Sequence, residues 1–546
     1  MSVAAAVGMS MGSESFVVAT CPAGATRCEV VANDAGHRAT PTYVAIVAGE
    51  VLIGEGAKGA LVRYPMQTVP HLLPLSSADV VREGKFRVSC DVNVREFDDR
   101  VEISGLTDEE GTVHEATNLL SQFLARMKSS TVDGACGNAP MQSVVLSVPR
   151  YLPIEGVKAI VESAGFTNTT IQVIYADDAA VLAYQSTLLE AKTHRCALVV
   201  DWGATTCTLS VMGLVGGAIQ YVSHSVSYSF GARVIDKELQ RQIALAFQKK
   251  TRMDPTDNAR AMRKLLIAAE ECKMILSTAT MTSVEIEAFC EGMDLKEPMS
   301  RMKIDIAIRD KGLPASFDAL LEGLLEQVAE EGLAHPIDAV VLAGGALKIP
   351  LLAQHVKNSI SSRAASGKFS ATVATTVTVL DQIATDEVSA VGACTQAVVL
   401  NASKAGAPLE EEQPIHVLGC SIFLPAAAIA DAPVKDGALL VPQASLTTLF
   451  SSGTPLPADV SVAFPAALTA AQLVPVLVQA GQAEGESVPV QAVSSTTVEL
   501  PSGTVKATFV VSDTNHASVV LHVISETADG TKTVLTKEAP LEFTTA

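Results

Sequence analysis

The sequence predicts an α/β protein that carries a separate all-β tail. Up to about residue 400, short β-branched runs alternate with amphipathic helical segments, which is the pattern of an α/β fold. Beyond Ala402 the helix formers give way to Val, Thr, Ser, Ala and Pro, arginine no longer occurs, and alternation in segments such as 504–511 indicates strands. A chain of 546 residues is also too long for one compact core, so more than one domain is expected.

The first half of the α/β part contains a helix, a strand and a second helix in that order. Residues 143–148 read as a buried strand closed by Pro149. Residues 154–164 read as a helix that ends at Gly165, since glycine readily takes the left-handed position after a helix. The apolar stripe of the preceding helix is formed by Ala116, Leu119, Leu120, Phe123, Leu124 and Met127.

The second half begins with an apolar strand, 197–200, that runs into a glycine turn at 201–206. Gly216-Gly217 then marks a hairpin, and Ala, Met, Leu, Glu and Lys predict a helix over 258–277. A similar glycine turn occurs at 9–14, about two hundred residues earlier. Two such turns facing each other could hold a phosphate chain, because small residues let backbone N–H groups approach an anion. A glycine after a strand is more often only a turn.

The tail begins after a polar acidic linker, predicted over 401–414. Within the tail, the stretch 460–483 carries no charged side chain and is long enough for a membrane span. We favour core strands instead, including one over 473–478, because Pro465 and Pro475 would leave backbone groups unsatisfied in lipid.

The net charge and the cysteines indicate which partners and which cellular location to expect. The net charge is −20, and the part after Ser403 contributes 5 Lys and 14 acidic residues, which argues against sequence-specific nucleic-acid binding. The ten cysteines show no metal-ligand spacing, and the first residues lack a basic secretory region, so a reducing, cytoplasmic location is expected. A basic group could touch ribosomal RNA or be a solvated helix face: Arg233, Lys237, Arg241 and residues 249–252.

Several segments in order carry a resemblance to a known family: 33–45, 52–58, 258–262, 341–350 and 386–393. Together they resemble the seventy-kilodalton heat-shock (DnaK-type) chaperones across the first 400 residues. The resemblance implies an actin-like ATPase domain with two lobes and a central cleft over 1–400. It also implies a short β-sandwich substrate-type domain over 415–546, here without the family's helical lid.

The departures from the family pattern concern its phosphate chemistry. Ser10 stands where the family has an aspartate, Ser13-Glu14 where it has two threonines, and alignment places Leu73 at its catalytic lysine. Residues 175–178 replace its Asn-Glu-Pro-Thr. Of the lysine and the acidic groups that serve hydrolysis and magnesium, Asp201 remains.

These losses predict a chain that does not hydrolyse ATP. Phosphoryl transfer is catalysed almost wholly by positioned charge, so no catalytic residue and no magnesium site is assigned. Glu14 adds a negative charge beside the phosphates, whereas the adenosine side is better kept, with Met274 in place of a stacking arginine. Either ATP binds without turnover or the cleft does not bind it. The resemblance assigns nucleotide binding to Gly12, Ser13, Asp201, Gly203, Thr205, Thr206, Gly231, Lys273, Ser277, Gly344, Gly345, Lys348 and Asp386.

Within the family the chain is similar to the ribosome-associated-complex branch, whose members pair stably with a J-domain protein of the zuotin type. Segments 33–36, 258–262 and 450–457 carry this likeness, and the linker lacks the family's leucine run. The leading interpretation is a chaperone scaffold that places its J-domain partner near nascent polypeptide at the ribosome. The alternatives are an ATP-driven folding chaperone that uses Asp177, Asp178 and Glu14, and a sugar or acetate kinase, a class without the long β tail.

Overall fold

A computed structural model describes most of the α/β part of the chain. The described residues are 5–22, 27–83, 91–97, 100–107, 112–137, 141–166, 169–191, 193–215, 218–331, 333, 335–369, 371–405 and the backbone of the strands between 422 and 542. The chain divides into two compact units, Met1–Pro408 and Leu409–Ala546.

The first lobe, residues 5–175, is built on a mixed β-sheet. Its strands are β1 (Ala5–Met11), β2 (Ser15–Cys21), β3 (Glu29–Val31), β4 (Thr40–Pro41), β5 (Val44–Val47), β6 (Glu50–Ile53), β7 (Thr68–Val69), β8 (Asn93–Phe97), β9 (Arg100–Ser104), β10 (Val113–Glu115), β11 (Met141–Val148) and β12 (Thr170–Tyr175). The main sheet has the order β12-β11-β1-β2-β3, in which β12, β11 and β1 run parallel and β1, β2 and β3 antiparallel. Strand β4 pairs with β2, and β5–β7 and β8–β10 form two small sheets.

The longer helices of the first lobe cover one face of that sheet, and the shorter ones also pack on the two small sheets. They are α1 (Glu55–Ala60), α2 (Leu72–Leu75), α3 (Ala78–Arg82), α4 (Ala116–Met127), α5 (Asp133–Ala135) and α6 (Ile154–Ser163), with a 3-10 turn at Pro65–Gln67 and a π turn at Lys128–Val132. All six residues of the predicted stripe are buried in α4, and Gly165 follows α6 with a φ of 87°, so both predicted helices are confirmed.

The second lobe repeats the sheet of the first. Its strands are β13 (Cys196–Trp202), β14 (Cys207–Val215), β15 (Ala218–Ser227), β16 (Met281–Cys290), β17 (Met293–Ser300), β18 (Ile337–Ala343) and β19 (Val373–Leu380). The order β19-β18-β13-β14-β15, with β13 parallel to β18 and antiparallel to β14, matches the first sheet strand for strand. Gly216-Gly217 lie outside the described residues, but Val215 pairs with Ala218 on either side of them.

The helices of the second lobe complete the α/β unit. They are α7 (Ala176–Leu182), α8 (Arg233–Thr251), α9 (Ala259–Thr278), α10 (Arg301–Asp310), α11 (Leu313–Glu331), α12 (Pro350–Ser366) and α13 (Val388–Ala405), with a π turn at Ser186–Glu190 and a 3-10 turn at Gly345–Lys348. Helix α9 confirms the helix predicted over 258–277, and Asn258 caps it by accepting the Ala261 N–H at 3.0 Å. Helix α13 continues to Ala405, past the predicted start of the linker, and residues 406–414 lie outside the described part.

Helix α13 returns from the second lobe to cover the other face of the first sheet. Its stripe of small residues, Ala390, Ala393, Cys394 and Ala397, packs on Ala6, Val17, Ala19 and Val145. Gly8 in β1 lies so close that a Cβ there would meet the Cys394 nitrogen at 2.0 Å. The first strand of the chain and its last α/β helix therefore share one core.

The described residues of the C-terminal unit form strands. They are β20 (Ile422–Pro425), β21 (Val434–Lys435), β22 (Ala438–Pro442), β23 (Leu446–Phe450), β24 (Ala458–Ala463), β25 (Gln472–Leu473), β26 (Val476–Gln479), β27 (Ser487–Ser494), β28 (Thr497–Val498), β29 (Thr504–Val511), β30 (His516–Glu526) and β31 (Lys532–Glu542). Two larger sheets have the orders β21-β22-β27-β26-β20-β23 and β24-β29-β30-β31.

The strand prediction for the tail is partly right. The strand over 504–511 is confirmed as β29, whereas 473–478 is divided between β25 and β26, which pair with different strands. Val474 and Pro475 lie outside the described residues, as does 451–457. In the described part of the chain, no helix is both long and apolar enough to cross a membrane.

Candidate functional site

Two equivalent turns face each other across the cleft between the lobes. The first joins β1 to β2, and the Gly12 N–H donates to the Ser15 carbonyl at 2.8 Å. The second joins β13 to β14, and the Gly203 N–H donates to the Thr206 carbonyl at the same distance, 2.8 Å. The predicted duplication of glycine turns is therefore present in the backbone as well as in the sequence.

A cavity of about 260 Å³ lies between these turns. Thr205 and Gly231 are not among its lining residues, although Thr205 is next to it and a Cβ on Gly231 would meet the Ala204 carbonyl oxygen at 2.3 Å. The other predicted site residues line it: Gly12, Ser13, Asp201, Gly203, Thr206, Lys273, Ser277, Gly344, Gly345, Lys348 and Asp386.

The two turns contact each other directly on the phosphate side of the cavity. The Ser13 and Thr205 hydroxyls form a 2.6 Å hydrogen bond across the cleft. Thr42 supports the first turn, because its hydroxyl donates to the Ser13 carbonyl at 2.8 Å. At this separation no phosphate oxygen fits between the two hydroxyls.

Glu14 does not add an uncompensated negative charge to the cleft, which corrects the expectation from the sequence. Its Oε1 accepts from Arg233 Nη1 at 2.7 Å, with the two side chains 13% and 16% exposed. Arg233 and His71 outweigh the effect of burial and lower the pKa of Glu14 to about 2. Arg233 belongs to this pair and not to a solvated basic face, because it enters the cleft at the first turn of α8.

His71 lies behind this ion pair. Its Nδ1 is 3.2 Å from the Ser13 carbonyl oxygen and 3.8 Å from Glu14 Oε1. Burial, together with Arg233, lowers its pKa to about 4, so the imidazole is neutral at pH 7. Leu73, aligned with the family's lysine, is fully buried in the first-lobe core, so this segment brings no lysine to the cleft.

Lys273 lines the cavity, and like Arg233 it is paired with a carboxylate. Its ammonium donates to Asp236 Oδ2 at 2.7 Å, and both residues are buried. Asp236 and Glu14 raise the pKa of Lys273 in spite of its burial, while burial raises the pKa of Asp236 to about 6. The second oxygen of Asp236 is buried without a hydrogen-bond partner among the described residues.

The adenosine side of the cavity is open and lined by small and polar residues. A Cβ on Gly344 would meet the Trp202 carbonyl oxygen at 2.3 Å, so this turn requires glycine. Lys348 donates to Asp386 Oδ2 at 2.8 Å, and Met274 is 55% exposed at the rim. Thr385 Oγ1 and Asp386 Oδ1 are buried and find no partner in the described part of the protein. These two acceptors could bind polar groups of a nucleoside.

The carboxylates that could replace the lost catalytic groups are held by an arginine. Arg150 binds Asp177 at 2.5 and 2.7 Å and Asp178 at 3.1 Å, and its guanidinium lies 4.2 Å from the centre of the Tyr175 ring. Neither aspartate lines the cavity. Burial and Asp177 raise the pKa of Asp201, the retained carboxylate, to about 6.

Sequence reasoning missed Arg233, His71 and Arg150 as partners in the site. Arg233 and His71 are each two positions from residues that the resemblance aligns with the family's cleft, Gly231 and Leu73. Arg150 is distant in sequence from residues 175–178 but contacts them in space. The signal for Arg233 is a basic residue at the start of a helix directly after a glycine turn. Its partner Glu14 is 219 positions away, so the pairing itself has no local signature.

Comparison with known proteins agrees with this architecture. The family model described as Hsp70 protein matches residues 6–416. Heat shock 70 kDa protein 14 of Mus musculus is 30% identical over 462 residues, 83% of this chain and 83% of that protein. The protein of the same name from Homo sapiens is 29% identical over 464 residues, with the same coverage of 83% for each chain. A ribosome-associated molecular chaperone of Saccharomyces cerevisiae is 29% identical over 350 residues, 63% of this chain and 55% of that protein. The resemblance inferred from the sequence is thereby confirmed, and the chain belongs to the Hsp70 family.

Proposed function

We propose that this protein is a non-hydrolysing Hsp70-family chaperone that acts as a scaffold with a J-domain protein of the zuotin type, in the folding of nascent chains at the ribosome. One observation carries the proposal: the side chains at the phosphate half of the cleft are paired with one another. The Ser13 and Thr205 hydroxyls bond each other across the two turns, and Glu14, which lines the cavity, is paired with Arg233.

The charge arrangement supports the absence of hydrolysis. Phosphoryl transfer requires cations that are free to neutralise the reacting phosphate. Here Arg233 is neutralised by Glu14 and Lys273 by Asp236. Asp177 and Asp178 are bound to Arg150, so the carboxylates needed by the alternative, an ATP-driven chaperone, are already engaged.

ATP is proposed as a ligand that binds without turnover. The glycine turn at Gly344 and the unpartnered oxygens of Thr385 and Asp386 fit the adenosine half of the molecule. The triphosphate half fits only if the Ser13–Thr205 contact separates. Magnesium does not fit the residues present, since Glu14 and Glu270 are paired with Arg233 and Lys58, and the described residues contain no group of three or more His, Cys, Asp or Glu side chains that could hold a metal ion.

The ribosomal role rests on the relatives and on charge. The yeast relative is by name a ribosome-associated chaperone, and its similarity to this chain supports a place at the ribosome. A net charge of −20 opposes direct contact with RNA, so we propose that the J-domain partner provides the ribosome contact. Two of the three segments that resemble the ribosome-associated branch also have structural roles, since Asn33 bonds Thr40 and Glu55 and Asn258 caps α9.

Calorimetry of the purified chain with ATP, with and without Mg²⁺, followed by an assay of the same mixture for ADP, tests the nucleotide proposal. We expect binding without ADP release. The matched control is Asp201→Asn, because it removes the retained carboxylate. ADP production that disappears in this variant or in the Asp177→Ala and Asp178→Ala pair would establish an ATPase and reject the proposal, whereas production that persists in both would come from a contaminant.

Co-sedimentation with ribosomes tests the scaffold role. The chain should pellet with ribosomes when a purified zuotin-type J-domain protein is present and remain in the supernatant without it. Pelleting without the partner, or no complex with it in size-exclusion chromatography, would contradict the scaffold proposal.

A further inference from the structure

Three cysteines from distant parts of the chain meet at one edge of the first sheet. Cys21 ends β2, Cys28 directly precedes β3 and Cys394 lies in α13. Cys21 is 5% exposed and Cys394 is fully buried, whereas Cys28 is half-buried. Cys28 is therefore the member of this cluster that a solute can reach.

The register of the β2–β3 hairpin places Cys21 opposite Cys28. Ala19 pairs with Val30 and Thr20 with Glu29, so the next pair in the same register is Cys21 and Cys28. Directly opposed residues on antiparallel strands have Cβ atoms about 4.5–5.5 Å apart. A disulfide requires about 3.5–4.5 Å, so a small shift at the end of the hairpin is sufficient.

Three side chains contact the Cys28 sulfur: the Cys394 and Cys21 thiols and the Thr395 hydroxyl, which is 3.8 Å away. The Cys394 thiol also lies 3.7 Å from the Ala6 carbonyl oxygen, to which it donates, so its one proton has two possible acceptors. The Thr395 hydroxyl also bonds the Val391 carbonyl at 3.0 Å, and its single proton can serve one partner at a time. The bond from Cys394 contributes most to lowering the pKa of Cys28, to about 7, against the effect of burial.

Cys136 provides an internal comparison. It is also half-buried, but burial and the nearby Asp133 raise its pKa to about 11. The pKa values therefore give Cys28 a larger thiolate fraction than Cys136 at pH 7. The thiolate is the nucleophile, so the two sites differ in reactivity for reasons other than access.

We propose that Cys28 is an oxidation site of this protein, which reacts with hydrogen peroxide and is then joined to Cys21 in an intrachain disulfide. The Cys28 thiolate attacks one peroxide oxygen, the O–O bond breaks, and the departing hydroxide takes a proton to become water. Cys28 is then a sulfenic acid. The Cys21 sulfur bonds to the Cys28 sulfur and gives up its proton, and the sulfenic hydroxyl leaves as water. Two thiols lose two electrons, and one peroxide becomes two waters.

Peptide mapping of the full-length protein tests this assignment. Trypsin cleaves after Arg27, so Cys21 and Cys28 fall in different peptides, and Cys394 falls in a third. The protein is treated with one equivalent of hydrogen peroxide at pH 7, and remaining thiols are blocked with iodoacetamide. We expect the two peptides that contain Cys21 and Cys28 to appear joined by a disulfide. A bond from Cys28 to Cys394 would overturn the choice of Cys21.

Alkylation rates and three serine variants complete the test. Without peroxide, Cys28 should react with iodoacetamide at least about tenfold faster than Cys136, because of its larger thiolate fraction. Cys136→Ser should leave the disulfide unchanged, Cys28→Ser should abolish it, and Cys21→Ser should leave a sulfenic acid at Cys28 that dimedone traps. Equal alkylation rates of Cys28 and Cys136 in the unmodified chain would reject the proposal even if a serine variant fails to fold.

Discussion

At the scale of single residues, the cleft is governed by buried pairs of charges. Glu14 and Arg233 neutralise each other beside the turn where an anion would bind. Removing one member of such a pair leaves the other buried and unpaired, which is the costly change. Removal of the Glu14 charge also leaves the Arg233 cation free to attract an anion. The stability of the protein and its affinity for an anion should therefore change in opposite directions.

The variant Glu14→Gln tests this opposition. We expect the free energy of unfolding to fall by about 3 kcal/mol, because Arg233 loses its partner. ATP affinity should rise by about tenfold, since Arg233 is then no longer neutralised near the phosphates, while adenosine affinity stays the same. Urea unfolding and calorimetry measure the two effects. The control is Glu285→Gln, whose partner Lys296 is 75% exposed, and it should change stability by less than about 0.5 kcal/mol. Equal gains for ATP and adenosine would contradict the electrostatic explanation.

His71 makes stability depend on pH. Its pKa is about 4 in the folded chain against an ordinary 6.5, so the unfolded chain binds a proton first as the pH falls below 6.5. The free energy of unfolding is therefore unaffected by this titration at pH 8, and it falls progressively as the pH is lowered from 6.5 to 4. The variant His71→Asn removes the titration and tolerates the left-handed φ of 53° at this position. Urea unfolding at pH 8 and pH 5 should show that the native chain loses about 2 kcal/mol more than the variant. An identical loss in both chains would show that His71 is not the titrating group.

At the scale of elements, local signals were sufficient for helices and strands but not for their partners. The stripe of α4 and the strand β29 follow from spacing alone, because each residue's neighbours lie within a few positions. The small residues of α13 did not predict contact with β1, because that contact depends on Gly8, far away in the chain. The family resemblance identified the residues predicted to bind nucleotide. It did not identify the roles of Arg233 and Arg150, because each is paired with carboxylates distant in sequence, and no local pattern encodes such a pair.

The N-terminus of α9 gives a prediction at this scale. Asn258 accepts the Ala261 N–H, and this bond satisfies one of the free donors of the first turn. Asn258→Ala should lower the free energy of unfolding by about 1 kcal/mol, and Asn258→Asp should keep most of it, because aspartate is an equally good cap. Chemical denaturation of the three chains provides the measurement. A loss as large in the aspartate variant would mean that another contact of Asn258 matters more.

At the scale of the whole α/β unit, salt bridges hold the two lobes together over the cleft. Lys58 pairs with Glu270 at 2.7 Å, and Arg263 pairs with Asp91 at 2.7 Å. Arg263 and Asp91 are 24% and 46% exposed, so this pair is expected to contribute less than about 1 kcal/mol. Lys58 and Glu270 are more buried, at 15% and 21% exposed. Together with the Ser13–Thr205 bond these two pairs connect the two lobes, so we expect them to oppose opening of the cleft.

The double variant Lys58→Met and Arg263→Met tests this control of opening. Hydrogen exchange at the amides of the turns 12–14 and 203–206 should accelerate by roughly fivefold, as expected for a loss of about 1 kcal/mol between open and closed cleft. Exchange in the core strands β1 and β13 should not change. Lys296→Met is the control, because its pair with Glu285 lies on the surface within one hairpin. Acceleration in the core strands would indicate global destabilisation and not opening of the cleft.

The close contact between Gly8 and Cys394 also has a consequence for synthesis. The face of the first sheet that carries Ala6 and Val17 is covered by α13, which is made almost four hundred residues later. At about 5–20 residues per second, roughly 20–80 s pass before that helix leaves the ribosome. Until then an apolar surface at the beginning of the chain stays uncovered. The sheet that is synthesised first is therefore covered on both faces only when one of the last helices of the α/β unit has been made. During that interval the protein is itself a nascent chain whose apolar surface needs protection.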